Sequence, residues 1–112
     1  MALPAQASAQ QVGDWVLSQW EGSREFYPGV VVERKGDQVT VKFDDGDVGV
    51  GPVTELRPFD WDVETSVQCR WSDGKWYRAT IRWISSNGST MQIRYDEDGT
   101  VERTNTGRCR SL

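Results

Sequence analysis

Two short runs alternate apolar with polar residues. They are Val39-Thr40-Val41-Lys42-Phe43 and Met91-Gln92-Ile93-Arg94-Tyr95. Period two puts one set of side chains on each face of a strand, so both runs predict half-buried strands. Lys35-Gly36-Asp37 and Asn87-Gly88-Ser89 precede them and predict hairpin turns, because Gly and Asn tolerate positive φ. Asp45-Gly46, Asp73-Gly74 and Asp98-Gly99 predict further turns. No segment has the period of an amphipathic helix of ordinary length.

The pattern occurs twice. Trp20 aligns with Trp71, Tyr27 with Tyr77, and residues 39–44 with residues 91–96. The expectation is an all-β chain of two small, strongly bent antiparallel barrels, each of five short strands, whose closure leaves few free edges. Barrel one is placed at residues 12–59, a connector at 60–65 and barrel two at 66–112. Phe59 and Trp61, at the connector, are expected to pack between the repeats. Residues 1–11 are Ala/Gln/Ser-rich without hydrophobic period and read as a disordered lead-in. By alternation Trp83 shares the face of Tyr77, Ala79 and Ile81 and reads as core. Trp76 faces the other way with Arg78 and Arg82, and Trp15 reads as structural.

Composition narrows the chemistry. The 112 residues are only 37% hydrophobic but include six Trp, three Tyr and three Phe. No stretch approaches the roughly 18 apolar residues of a membrane span, and a monomer with no membrane partner is expected. There is no His, hence no ordinary acid–base partner for Ser or Cys, and an enzyme is not expected. Two Cys without His fall short of the roughly four ligands of a structural zinc site. The acidic turns Asp44–Asp47 and Asp96–Gly99 do not match a helix-flanked calcium loop. They read as turn chemistry, and no metal or cofactor is expected. The net charge of −4 divides unevenly: residues 1–65 hold five Lys/Arg against twelve Asp/Glu, and residues 66–112 hold eight against five. An acidic half favours cationic ligands.

The aromatic residues recur at strand ends. In each half a Trp ends the first strand, a Tyr begins the second across a turn, and Phe43 or Tyr95 ends the third. Acids follow: Asp45 and Asp47, or Asp96 and Asp98. Three strand ends meeting at one barrel rim gather three rings and a carboxylate. Ring faces carry negative potential, so such a box suits a cation with a greasy coat, such as a methylated ammonium. The same residues also suit rim packing. The arginines Arg70, Arg78, Arg82, Arg94, Arg103, Arg108 and Arg110, beside Trp71, Trp76 and Tyr77, keep nucleic acid as a rival partner. A third reading is an interaction scaffold without a cage.

WSDGKWYRATI followed by IRYDEDG, and WEGSREFYPGVV followed by VKFDDGD, resemble tandem Tudor domains and the related agenet modules. The resemblance covers nearly the whole chain from about Val12. It implies SH3-like barrels of about five strands, no catalysis, and recognition of methylated lysine or arginine in a basic, histone-like protein tail. The family's cage positions fall on Trp71, Tyr77 and Tyr95, and on Trp20, Tyr27 and Phe43. Where many family cages supply a fourth aromatic, this chain has Asp98 or Gly46, with Asp45 beside the latter. In SH3-like barrels the strands of Cys69 and Cys109 are neighbours, so a disulfide is conceivable; two buried thiols are the preferred reading. A disulfide would favour export, whereas a chromatin reader would be nuclear. Ala7-Ser8-Ala9 resembles the end of a signal peptide, but without a basic start or apolar segment before it a flexible tail is preferred.

Overall fold

The computed structural model describes residues 11–19 and 24–112. Trp20, and the predicted lead-in except Gln11, lie outside the described residues. The chain divides into two units, residues 1–60 and 61–112. Each is one five-stranded antiparallel sheet, so the fold is all-β.

The first unit contains β1 (Trp15–Gln19), β2 (Phe26–Lys35), β3 (Gln38–Phe43), β4 (Val48–Pro52) and β5 (Leu56–Pro58), with a 3-10 turn at Val53–Glu55 before β5. The second contains β6 (Ser66–Arg70), β7 (Trp76–Ile84), β8 (Thr90–Tyr95), β9 (Val101–Asn105) and β10 (Cys109–Ser111), with a 3-10 turn at Thr106–Arg108. Strand order is β4-β3-β2-β1-β5 in one sheet and β9-β8-β7-β6-β10 in the other. The duplication is therefore topological as well as sequential.

The alternating runs bury the expected faces. Val39, Val41 and Phe43 turn inward with Val16 and Val31. Met91, Ile93 and Tyr95 are buried beside Val67, Ala79 and Ile81. Removing these apolar surfaces from water holds each small sheet closed on itself, at roughly 1.5–3 kcal/mol per large side chain.

Both long strands break register once, between Val31 and Glu33 in β2 and between Ile81 and Trp83 in β7. The extra residue of a bulge reverses which face the following side chains occupy. This corrects the core assignment of Trp83, which is 40% exposed and lies 5.0 Å from the Arg103 guanidinium. Val32, at the equivalent bulge, is exposed too.

The cysteines are also corrected. Cys69 and Cys109 are directly paired across β6 and β10, with Cα atoms 4.0 Å apart, and form a disulfide. Strand pairing brings together thiols 40 residues apart in sequence. Near the connector, Phe59 packs on Trp15 inside the first unit, ring centroids 5.7 Å apart. Glu64 and Thr65 exchange backbone hydrogen bonds with Ile81, and Glu64 lies 3.6 Å from Arg82. Asp62 and Glu64 thus belong to the second unit, and the charge division softens to −5 for residues 1–60 against +1 for residues 61–112.

Candidate functional site

The site in the second unit is assembled from three strand ends. Trp71 follows β6, Tyr77 is the second residue of β7, and Tyr95 closes β8. A tight turn at Asp73-Gly74 returns the chain from β6 to β7. Gly74 adopts φ +82°, a conformation that L side chains rarely take, and its N–H donates to the Trp71 carbonyl at 2.9 Å. The turn therefore holds Trp71 and Tyr77 on the same rim.

Tyr95 is the floor, 5% exposed, and Trp71 and Tyr77 are half-buried. The Tyr95 ring lies at 89° to both neighbours, with centroids 5.2 Å from Trp71 and 6.4 Å from Tyr77. These are edge-to-face contacts, which aromatic quadrupoles favour over a sandwich. The rings do not fill one another's space. They line an open cavity of about 280 Å³, together with Asp73, Glu97, Asp98 and Thr100.

Both phenols are held by carboxylates. Tyr77 Oη donates to Asp73 Oδ2 at 2.6 Å, and Tyr95 Oη to Glu102 Oε1 at 3.0 Å. Asp73 Oδ1 also accepts the Lys75 N–H at 2.9 Å. The hydrogen bond from Tyr77, then that from Lys75, hold the Asp73 carboxyl below its usual range. The same bond raises the Tyr77 phenol, since losing its proton would set a phenolate against a carboxylate. Burial first, then the Glu102 bond, raises Tyr95 well above the ordinary phenol range. Asp98 is lowered by the Thr100 N–H, which donates to Oδ1 at 3.0 Å, and by the Thr100 hydroxyl. At neutral pH the rim therefore carries neutral rings and ionised acids, the charge pattern that attracts a cation.

The Agenet domain family matches residues 16–61. Among solved structures, the Crb2 tandem tudor domains superpose with a TM-score of 0.61, covering 89% of this chain and 78% of that one at 14% identity. Residues 16–61 thus match the Agenet family, and the chain has the fold of tandem tudor domains. Arabidopsis thaliana AGDP1 AGD34 gives a TM-score of 0.42, covering 97% and 86% at 19% identity. ADCP1 tandem Agenet domain 3-4 gives 0.42, covering 97% and 84% at 17%. No curated protein matches. Domains of the Tudor/Agenet type are generally binding modules and typically non-enzymatic.

The four residues expected at the second site, Trp71, Tyr77, Tyr95 and Asp98, are together at one cavity. Sequence reasoning missed Asp73, Glu97 and Thr100. Asp73-Gly74 predicts a turn; Asp73 forms it, and its second oxygen also orients Tyr77.

At the first site, Trp20 lies outside the described residues. Tyr27 packs against the core cluster, and Phe43 belongs to it at 7% exposure. Asp45 accepts the Asp47 N–H at 2.9 Å within its own turn. The arginines of the nucleic-acid reading are variously engaged. Arg78 lies 3.7 Å from Asp96, and Arg110 and Arg70 approach the Trp76 ring at 4.1 and 5.7 Å. A base would have to displace a guanidinium from whichever face of Trp76 carries one. Among the described residues no group of acids or cysteines is arranged to hold a metal ion, and no helix is long and apolar enough to cross a membrane.

Proposed function

We propose that the second unit reads a methylated lysine or arginine side chain in a protein tail, with Trp71, Tyr77 and Tyr95 as its aromatic cage. The observation that carries this reading is the open cavity bounded by three rings and by Asp73, Glu97 and Asp98. Methyl groups make a cation cheap to desolvate while leaving its charge to the ring faces. Each ring contact contributes about 0.5–2 kcal/mol. The carboxylates add long-range attraction and can accept a hydrogen bond from any N–H that methylation leaves. A mono- or dimethylated group can donate that hydrogen bond, whereas a trimethylated one meets the carboxylates by charge alone.

The decisive measurement is calorimetric titration of the whole chain with lysine peptides in unmodified, mono-, di- and trimethylated forms and arginine peptides in unmodified, mono- and dimethylated forms. Trp71→Ala removes one wall and should weaken binding of the preferred peptide about tenfold or more, since 1.4 kcal/mol is tenfold. Trp20→Ala should change it little. Equal affinity for methylated and unmodified peptides would sink the cage.

A further inference from the structure

A second open cavity, of about 380 Å³, adjoins the cage. It is lined by Ser72, Glu102, Arg103, Thr104, Asn105 and Arg108. No described residue lines both cavities, but their linings are direct neighbours. Ser72 sits between Trp71 and Asp73, which line the cage, and Glu102 holds the hydroxyl of the cage floor, Tyr95. Their electrostatics are opposite. The cage is rimmed by three acids, whereas the neighbour has two exposed guanidinium groups against one carboxylate, and that carboxylate already accepts the Tyr95 O–H.

The arginines are positioned. Arg108 donates through one Nη to the Arg70 carbonyl at 3.0 Å, and Arg103 rests on the face of Trp83. A guanidinium has five N–H donors in a planar fork, so neither contact exhausts it. Nor does the fold require a basic cavity here. Gln92 pairs with Arg103 in the second sheet as Thr40 pairs with Val50 in the first. The 3-10 turn ending in Arg108 corresponds to the one ending in Glu55. The first unit therefore places Val50 and Glu55 where the second places two arginines.

Resting on the reading above, we propose that this second cavity binds an oxyanion, a carboxylate or a phosphate, carried by the same peptide whose methylated side chain occupies the cage. Arg103 and Arg108 supply the charge, with Ser72 and Asn105 as neutral donors. Spacing follows from β9. Thr100, just before it, lines the cage, and residues 102–105 line the second cavity. At about 3.3 Å per residue the two sites are about 10 Å apart, a span that an extended peptide covers in about three residues. The ligand is then a methylated residue with an acidic or phosphorylated residue two to four positions away.

The test uses the whole chain and peptides carrying dimethyllysine or lysine, with Gln, Glu or phosphoserine three positions to either side. Binding is measured by calorimetry at moderate and at high salt. For the dimethylated peptides, Glu or phosphoserine in one of the two directions should bind about two- to tenfold tighter than Gln. The advantage should shrink with salt and vanish in the Arg103→Gln/Arg108→Gln double variant, whose melting curve checks that it folds. Phosphoserine well ahead of Glu identifies phosphate as the group recognised; parity identifies the charge alone. Methyl-dependent binding that is indifferent to Gln, Glu and phosphoserine overturns the anion site and leaves the cage standing. An anion preference that the double variant abolishes, without any methyl dependence, overturns the cage and leaves the anion site. An advantage that persists in the folded double variant also overturns the proposal.

Discussion

The two units share strand order, bulge position and even an outer stack. Arg57 lies 4.0 Å from the Phe26 ring, and Arg110 lies 4.1 Å from the Trp76 ring, at equivalent places in the ladder. They differ at the rim. Phe43 stands opposite Gly29, and Tyr95 opposite Ala79. Beside them, Gly49 pairs with Val41 where Glu102 pairs with Ile93. Both rings are buried, Phe43 at 7% and Tyr95 at 5% exposure. Phe43 lies against Gly29 and Gly49, whereas the Tyr95 hydroxyl meets the Glu102 carboxylate at the floor of a cavity. One scaffold thus carries two different sets of side chains around the ring that ends its third strand. Disulfide bonding follows the same division: Ser18 and Leu56 hold the positions of Cys69 and Cys109.

The strongest way to break the symmetry of stability is reduction. Opening a cross-link that closes a 40-residue span should cost the second unit about 4 kcal/mol by loop entropy, and the first unit nothing directly. Cys69→Ser/Cys109→Ser should act alike. Calorimetric melting with and without reductant checks this; equal shifts of both units would show that the bond does not act locally. Such a bond persists in oxidising surroundings, so the second unit depends on compartment in a way that the first does not.

Next comes Gly29→Ala, aimed at the first unit. A Cβ there would lie 2.5 Å from Val41 Cγ1, 3.0 Å from the Lys42 carbonyl and 3.2 Å from Phe43. Two neighbours are core side chains and one is backbone, so the strain should cost about 1–3 kcal/mol. A melting curve unchanged by Gly29→Ala would mean that Phe43 is not held down as described.

These contrasts show which physics a sequence displays. Period-two runs and Asp-Gly or Asn-Gly turns are local, so the strands, the hairpins and the duplication were legible, as was the meeting of Trp71, Tyr77 and Tyr95 at strand ends. The bulges were not. An extra Val32 or Arg82 leaves no compositional mark, yet it turned Trp83 from expected core to exposed surface. The disulfide depended on a strand pairing 40 residues apart, and the thiol reading failed there. Asp73 was visible only as a turn former, because nothing local reveals that its free oxygen reaches the Tyr77 hydroxyl. Phe43 aligns with Tyr95 as a strand-ending ring, and nothing local reveals that it lies against Gly29 and Gly49.

The smallest predicted effect tests the polar contact that separates the two rims. Tyr95→Phe gives the second unit the ring of Phe43 while leaving Glu102 in place. Loss of that hydrogen bond should cost about 0.5–1.5 kcal/mol, with less effect on peptide affinity than Trp71→Ala. The pH dependence sharpens the assignment. Tyr95 and Tyr77 both have folded pKa values above their ordinary value of 10.0. A raised pKa means that the folded state keeps its proton longer than the unfolded chain does. The stabilisation is therefore complete below pH 10 and declines as pH rises above it. Tyr95→Phe should remove the larger part of that alkaline decline, and Tyr77→Phe a smaller part. Asp73 and Asp98 have the opposite sign. Their lowered values stabilise the fold above about pH 3.8, and the contribution fades as pH falls below it. Tyrosinate absorbance of the folded protein, followed against unfolding midpoints between pH 9 and 12, measures the alkaline limb. If Tyr95→Phe leaves both the absorbance titration and the midpoints unchanged, the Tyr95–Glu102 contact does not distinguish the second unit from the first.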